Sequence, residues 1–405
     1  MKRSTKKLRV AMIAPPWLAL PVKGYGGIEM VMQGLIPSLR KKEVEIVIYG
    51  NGARKMRGIP TKYLYNTEQY EHIHKPVFES IPILCAHVQF AINDIIKDGK
   101  FDVVHDHTEF VGPQMLAWAS ERKDMPPVVH TVHGPPFSAQ ETIDEGIPDN
   151  RPHWVELAAR MGKMFIVGIS DALMEPAPKE LQPYILPTVH NAVDVSHFPL
   201  KKDKKNYFFT FARFTPDKAQ HVAAKICAKK GYRLRMGGTV AGIESSRKLL
   251  LELANPMSKF RSTADFRYYS DEILPYVLRY PKITYSGNLK GNKKMKFMSE
   301  GKALLFPIDW EEPFGMAVIE ALACGTPVIA MRRGAMPEII EHGVNGFLAD
   351  TEEEFAEYME RVDEIDPELC RKSVETKFAA DNMADKYIDR YYEAIRRSKN
   401  YKGRV

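Results

Sequence analysis

Short apolar runs alternate with amphipathic stretches along almost the whole of this chain, and that alternation narrows its fold more than any single motif. In the first half the strand-like runs are Arg9 to Ala14, Glu45 to Tyr49, Val103 to His107, Val128 to Val132 and Phe165 to Ile169, with helical stretches near Ile28 to Arg40 and Phe90 to Lys97. A second series runs through Tyr207 to Phe211, Leu234 to Met236, Ile283 to Tyr285, Ala303 to Phe306 and Val328 to Met331. Strands separated by helix-length segments cross over and pair in parallel, so the pattern predicts an α/β protein with parallel sheets.

A length of 405 residues exceeds one ordinary core and predicts two domains. The stretch His190 to Pro199, followed by the charged Lys201 to Lys205, separates the two series and reads as the linker. The expected domains are therefore 1–195 and 196–380, with a tail 381–405. Within that end of the chain Met383, Tyr387, Tyr391 and Ala394 recur at helical spacing, which taken alone predicts a surface helix on its own domain. No repeat of 20 to 50 residues accompanies the two series.

Composition excludes several classes. With 44% hydrophobic and 27% charged residues the chain has a globular make-up, and no apolar stretch reaches the length of a membrane span. The basic start, Met1 to Lys7, precedes an apolar run that Pro15, Pro16 and Trp17 interrupt, so it reads as a tail before a first strand rather than a signal peptide. Cys85, Cys227, Cys324 and Cys370 are scattered, which predicts reduced, buried thiols and a cytoplasmic protein. The net charge of +7 is modest, and its lysines are interspersed with acidic segments such as Glu352 to Glu360. Nucleic acid would need a denser basic stripe. The bias fits an anionic small molecule or an anionic membrane face, and a solvated surface suffices for most lysines, Lys293 and Lys294 included. A helix ending in Arg40-Lys41-Lys42 could touch anionic lipid at the inner membrane face, although cations at a helix C-terminus also simply complement its dipole.

The candidate chemistry sits where strands end. After the run Ala303 to Phe306 comes Glu311-Glu-Pro-Phe-Gly315, then a helix from Met316 to Cys324 closed by Gly325. Glu312 thus falls in the loop and Glu320 inside the helix. Backbone N–H groups around Phe314, Gly315 and Met316 lie at the positive end of the helix, where an anionic or polyhydroxyl ligand is favoured. A nucleotide-sugar matches this arrangement, because its diphosphate faces N–H groups and cations while its hydroxyls donate to carboxylates. Ordinary capping by Glu312 and a solvated Glu320 account for the same spacing.

Other strand ends contribute further candidates. Lys23-Gly-Tyr-Gly-Gly-Ile-Glu29 is a glycine-rich loop opening a helix, either a close backbone approach to a ligand through Gly26 and Gly27 or a plain tight turn. His105 and His107 end one strand on one face, and His130, His133 and Gly134 end another. They could gather as a metal site, or as hydrogen-bonded core residues. Arg213 and Lys218 share a loop after the first strand of the second series and could neutralise a diphosphate, or form a solvated pair. Gly334 and Ala335 follow another strand, with Pro337 suited to the first turn of a helix.

The segment from Phe306 to Asp350, with Glu312 and Glu320 eight residues apart, resembles retaining glycosyltransferases of family 4, whose GT-B fold sets two Rossmann-like domains across a cleft. Tyr25-Gly-Gly27, His105-Asp-His107 and Phe306-Pro-Ile-Asp-Trp-Glu-Glu-Pro-Phe-Gly315 are most similar to the branch grouped with oligosaccharide-antibiotic transferases. The resemblance implies an acceptor-binding first domain, a nucleotide-sugar-binding second domain and a last helix that crosses back to the first domain. It further implies that Glu320 holds ribose hydroxyls, Glu312 sugar hydroxyls, Arg213 and Lys218 the diphosphate, and that His107 contacts the donor sugar. Gly26 and Gly27 would border the donor phosphates, with His133, Gly134, Gly334 and Ala335 nearby. Ala212 and Ala219 depart from the family's glycines beside Arg213 and Lys218, which puts the loop geometry in question.

The expected activity is retaining, metal-independent hexosyl transfer from a nucleoside-diphosphate sugar, of UDP-glucose or GDP-mannose type, to an acceptor hydroxyl. No cofactor is implied, and the acceptor would be a small molecule, an oligosaccharide or a lipid-linked sugar. A sugar-nucleotide epimerase or hydrolase, a disaccharide phosphorylase or synthase, and a non-catalytic assembly partner share the fold and stand as alternatives.

Overall fold

Every ladder between strands of the protein is parallel, in a computed structural model that describes residues 7–23, 26–74, 77–109, 111–135, 137 and 150–401. The chain divides into two units, one running through Ala192 and resuming at Ala380, the other spanning Val193–Ala379.

Unit 1 contains β1 (Arg9–Ile13), β2 (Glu45–Gly50), β3 (Thr61–Tyr63), β4 (Val103–Asp106), β5 (Val128–Val132), β6 (Met164–Gly168) and β7 (Ile185–Leu186), in the order β3-β2-β1-β4-β5-β6-β7. Unit 2 contains β8 (Phe208–Phe211), β9 (Leu234–Gly237), β10 (Ile283–Tyr285), β11 (Ala303–Phe306), β12 (Val328–Met331) and β13 (Gly346–Ala349), in the order β10-β9-β8-β11-β12-β13. The inner strands β4, β5, β6 and β11 are buried at every position, because helices cover both faces of a parallel sheet. In each unit the order reverses beside the first strand, between β1 and β4 and between β8 and β11. Loops leaving the C-terminal ends of those strands diverge there and leave room for a ligand.

The last helix, Ala380–Ser398, belongs to unit 1. It buries Met383, Tyr387, Tyr391 and Ala394, the spacing read from the sequence, against the helix Gly27–Lys41 and the strands β4 and β5. Ser38 Oγ donates to Asp381 at 2.6 Å and Lys42 Nζ to Asp385 at 2.7 Å, and Lys41 lies 3.9 Å from Asp381. Of the basic helix end considered for lipid, Lys41 and Lys42 thus already face carboxylates.

Several expectations shift. The helix predicted near Phe90 to Lys97 runs Val77–Asp98, and β3, β7 and β13 were not foreseen. The linker lysines are not a free tether, since Lys201 and Lys205 grip Glu300 at 2.8 and 2.7 Å. Those two ammonium groups hold the Glu300 carboxyl down at about 2. Lys204 Nζ donates inward to Ser299 O, Cys324 O and Thr326 Oγ1, and burial lowers it to about 8. Of the cysteines, Cys85 is half-buried rather than buried, and all four are unbridged. Among the described residues no helix is long and apolar enough to cross a membrane.

Candidate functional site

The loops after β8 and β11 lie side by side at the reversal of the second sheet, tied by Asp309 N donating to Asp217 O at 2.8 Å. Lys218 Nζ donates to Glu312 Oε2 at 2.5 Å, and Trp310 Nε1 donates to the same oxygen at 3.0 Å. The lysine also stands 4.2 Å above the Trp310 ring, a face that attracts a cation. Arg213 is exposed and has no ion pair among the described residues. Ala219 takes the left-handed backbone, φ 47°, so the loop keeps a conformation suited to glycine while bearing a methyl group. Ala212 needs no such backbone, being absent from the residues of positive φ.

Glu320, 4% exposed in the helix Met316–Ala323, is held by Lys294 from the helix Gly291–Glu300, with Nζ 2.6 Å from Oε2. Sequence reasoning left Lys294 on the solvated surface, and it missed Trp310 as well. A lysine 26 positions from its partner gives no local signal, whereas Trp310, two residues before Glu312, was visible as an aromatic next to the motif.

Glycines let the neighbouring backbones approach. Gly315 caps the helix Met316–Ala323 at φ 95° with no side-chain cap, and a Cβ there would lie 2.8 Å from Met336 Cε. At Gly334, φ 52°, a Cβ would fall 2.3 Å from Glu312 O and 2.4 Å from Glu312 N. The close approach lets Ala335 N donate to Glu312 O at 2.9 Å and Gly334 N to Glu311 Oε2 at 2.5 Å. Phe314 and Ala335 are buried, and Pro337 opens the helix Met336–Ile339 as its residue type predicts. Glu312, Phe314, Gly315, Met316, Glu320, Lys218, Gly334 and Ala335 therefore gather on one edge of unit 2, and Arg213 stands on the same loop as Lys218.

Unit 1 gathers histidines at the corresponding edge. His107 N donates to Ile13 O at 2.9 Å, fixing the residue just beyond β4 against the end of β1. Its Nδ1 lies 2.8 Å from His133 Nε2, and its ring centroid is 4.0 Å from that of His105. Tyr391 OH lies 2.6 Å from His105 Nδ1, while His105 Nε2 meets Thr131 Oγ1 at 2.8 Å. His130 Nδ1 bonds Asp106 Oδ2 at 2.7 Å. Burial drives His105 and His107 well below the ordinary imidazole range and His133 to about 3, so the rings are neutral near pH 7. His107 Nε2 is the one cluster nitrogen that is buried without a partner among the described residues. No group of three or more His, Cys, Asp or Glu among them is arranged to hold a metal ion.

The glycine-rich loop is described only in part, since Gly24 and Tyr25 lie outside the described residues. A Cβ on Gly26 would meet Leu18 Cδ1 at 2.7 Å and Glu29 Oε2 at 2.8 Å, whereas Gly27 faces open space. Glu29 is buried, and loss of hydration raises its carboxyl to about 7, with Glu109 and Glu68 adding like charge. Gly134 is unobstructed, its nearest neighbour being Glu109 Oε1 at 3.8 Å from an added Cβ.

The model of glycosyl transferases group 1 matches residues 194–377 and that of glycosyltransferase family 4 matches residues 25–173. The chain is a family 4 glycosyltransferase. Among its relatives, an uncharacterised glycosyltransferase of Methanocaldococcus jannaschii is 22% identical, over 96% of this chain and 99% of that protein. The D-inositol 3-phosphate glycosyltransferase of Mycolicibacterium smegmatis is 25% identical over 74% of this chain and 69% of its own. AviGT4, a glycosyltransferase involved in avilamycin A biosynthesis, superposes with a TM-score of 0.60 at 17% identity, covering 96% of this chain and 98% of its own. HepE of Anabaena, in complex with UDP and glucose, gives 0.65 at 16% identity, with 95% and 100% covered. The family 4 chain therefore has the two-domain α/β GT-B fold.

Proposed function

We propose that this glycosyltransferase moves a hexosyl group from a nucleoside-diphosphate sugar to an acceptor hydroxyl, with retention at the anomeric carbon and without a bound metal ion. The observation that carries this reading is the pairing of Lys218 with Glu312 and of Lys294 with Glu320, with Arg213, on the loop of Lys218, holding no ion pair among the described residues. Each lysine there faces a carboxylate, while Arg213 has no ion pair among the described residues, so a diphosphate gains Arg213 directly and competes with Glu312 for Lys218. Glu320 then accepts from ribose hydroxyls and Glu312 from sugar hydroxyls, as acceptor-only groups do. Gly315 and Met316 present the positive end of their helix to the phosphates. His107, neutral and with its buried Nε2 lacking a partner among the described residues, is the candidate for a hydrogen bond to a sugar hydroxyl, and Gly26 and Gly27 offer backbone close to a ligand.

In the step itself the bond from the anomeric carbon to the diphosphate oxygen breaks and its electron pair leaves with the phosphate. The acceptor oxygen attacks from the same face, and its proton passes to the departing phosphate oxygen. Arg213 and Lys218 stabilise the charge that develops there, the role a divalent ion plays elsewhere. HepE, crystallised with UDP-glucose, supports a UDP-type donor, with the GDP-mannose type as the comparison to run against it.

Binding of UDP-, GDP-, ADP- and dTDP-sugars to the wild type and to Glu320→Ala tests the reading. Selective binding of one donor, lost in the variant, supports it, and turnover in the presence of a chelator with product of unchanged anomeric configuration completes it. Absence of binding to every donor would overturn it, and free sugar released without an acceptor would replace transfer by hydrolysis.

A further inference from the structure

The connection between β9 and β10, residues 238–282, is the longest between strands of unit 2, and it carries side chains that a globular surface ordinarily hides. Its helix Ser246–Ala254 buries only Leu249 fully. On the opposite face Arg247, Leu250, Leu251 and Ala254 follow one another at helical spacing, with Leu250 62% and Leu251 65% exposed. Met257, 87% exposed, stands three residues past the end of the helix. Three large apolar side chains thus stand in water within eight residues of chain.

Cations accompany them. Arg247, Lys248 and Lys259 are exposed, and none has a carboxylate within ion-pair distance among the described residues. Elsewhere in the unit Lys225, Lys230, Lys290 and Lys302 are bonded to Glu352, Glu360, Glu244 and Asp363. Arg261 donates to Leu253 O at 2.7 Å and Asn255 O at 3.0 Å, which closes the helix and fixes a further positive charge at its end. Glu252, the acid within the helix, is turned to Ser258 Oγ at 2.6 Å.

We infer that this segment docks the enzyme on an anionic lipid bilayer, Leu250, Leu251 and Met257 entering the interfacial layer while Arg247, Lys248 and Lys259 meet the headgroups. Exposed apolar side chains ringed by unpaired cations have the two properties such a surface requires, apolar area to bury and charge opposite to the membrane's. A second copy of the chain would bring the same cations against themselves, which disfavours self-association through this face. The inference is independent of the donor reading, since none of these residues belongs to the site beside Glu312 and Glu320.

Co-sedimentation of the full chain with vesicles of phosphatidylcholine alone, and with phosphatidylglycerol mixed in, tests it. Binding is expected only with phosphatidylglycerol, weakening as salt is raised. The combined variant Leu250→Ser, Leu251→Ser, Met257→Ser and the combined variant Lys248→Glu, Lys259→Glu should each reduce partition by about tenfold or more, with unchanged melting temperature. No binding to the mixed vesicles, equal binding to both kinds, or binding that either variant leaves intact would overturn the inference. So would a concentration-dependent oligomer of the wild type that the serine variant abolishes, because the face would then belong to a second copy.

Discussion

Lys294 Nζ lies 2.6 Å from Glu320 Oε2, with the lysine side chain 16% and the glutamate side chain 5% exposed. Removing one member of so enclosed a pair strands the other charge away from water. Lys294→Met is therefore expected to lower the unfolding free energy by about 3 kcal/mol, read from urea denaturation. Adding Glu320→Gln to it should restore most of the loss. A single-variant effect as small as that of a surface pair would show that the couple is solvated.

Lys218 has a different task. Under the proposed function Lys218→Met removes the cation proposed to meet departing charge, and it should lower kcat/KM about a hundredfold or more on the donor that the binding panel selects. Lys218→Arg keeps the charge and should retain part of the activity. Initial rates decide between a catalytic cation and a structural partner of Glu312, because a purely structural loss would appear equally in melting temperature.

Two glycines separate backbone conformation from contact. At Gly343, φ 79°, an added Cβ meets nothing within 4 Å, so Gly343→Ala should cost only the left-handed backbone, about 1 kcal/mol. Gly334→Ala drives a methyl group into the backbone of Glu312 and must displace the loop. Its melting temperature should fall further, and donor binding should weaken with it. Equal effects at the two positions would contradict the close packing of these loops.

Glu29 predicts a pH dependence of stability. Burial raises its carboxyl from the ordinary 4.5 to about 7, so the folded state favours the protonated form. The contribution of Glu29 is fully present below pH 4.5 and is lost as pH rises from there through 7, because the buried group must then carry charge. Glu29→Gln should remove that decline, leaving the variant more stable than the wild type by up to about 3 kcal/mol well above pH 7 and no more stable in acid. Denaturation curves across this range measure it.

Much of the scaffold was legible because short apolar runs set between helical stretches mark parallel strands. Ile283–Tyr285, Ala303–Phe306 and Val328–Met331 carry the same bounds in sequence and structure. The strand Gly346–Ala349 escaped because it is four residues with glycine and alanine at its ends, and Pro82 obscured the first turns of the helix Val77–Asp98. At the site, Glu312 and Glu320 stood out by type and spacing, but the lysines that hold them come from other elements. His105 illustrates the limit: its partner Tyr391 lies 286 residues away, and no local pattern couples them. The linker lysines misled in the opposite direction, since a charged run reads as solvent-facing whether or not Glu300 waits to bind it.

The return of the helix Ala380–Ser398 to unit 1 sets the order in which the chain can mature on the ribosome. Residues 193–379 are synthesised before the segment that covers the helix Gly27–Lys41 and bonds His105 exists. Unit 2 can close while unit 1 still shows the apolar groove that Tyr387 and Tyr391 later fill. The half of the protein made first is thus the half finished last, and its apolar surface stays uncovered until its own distant residues arrive.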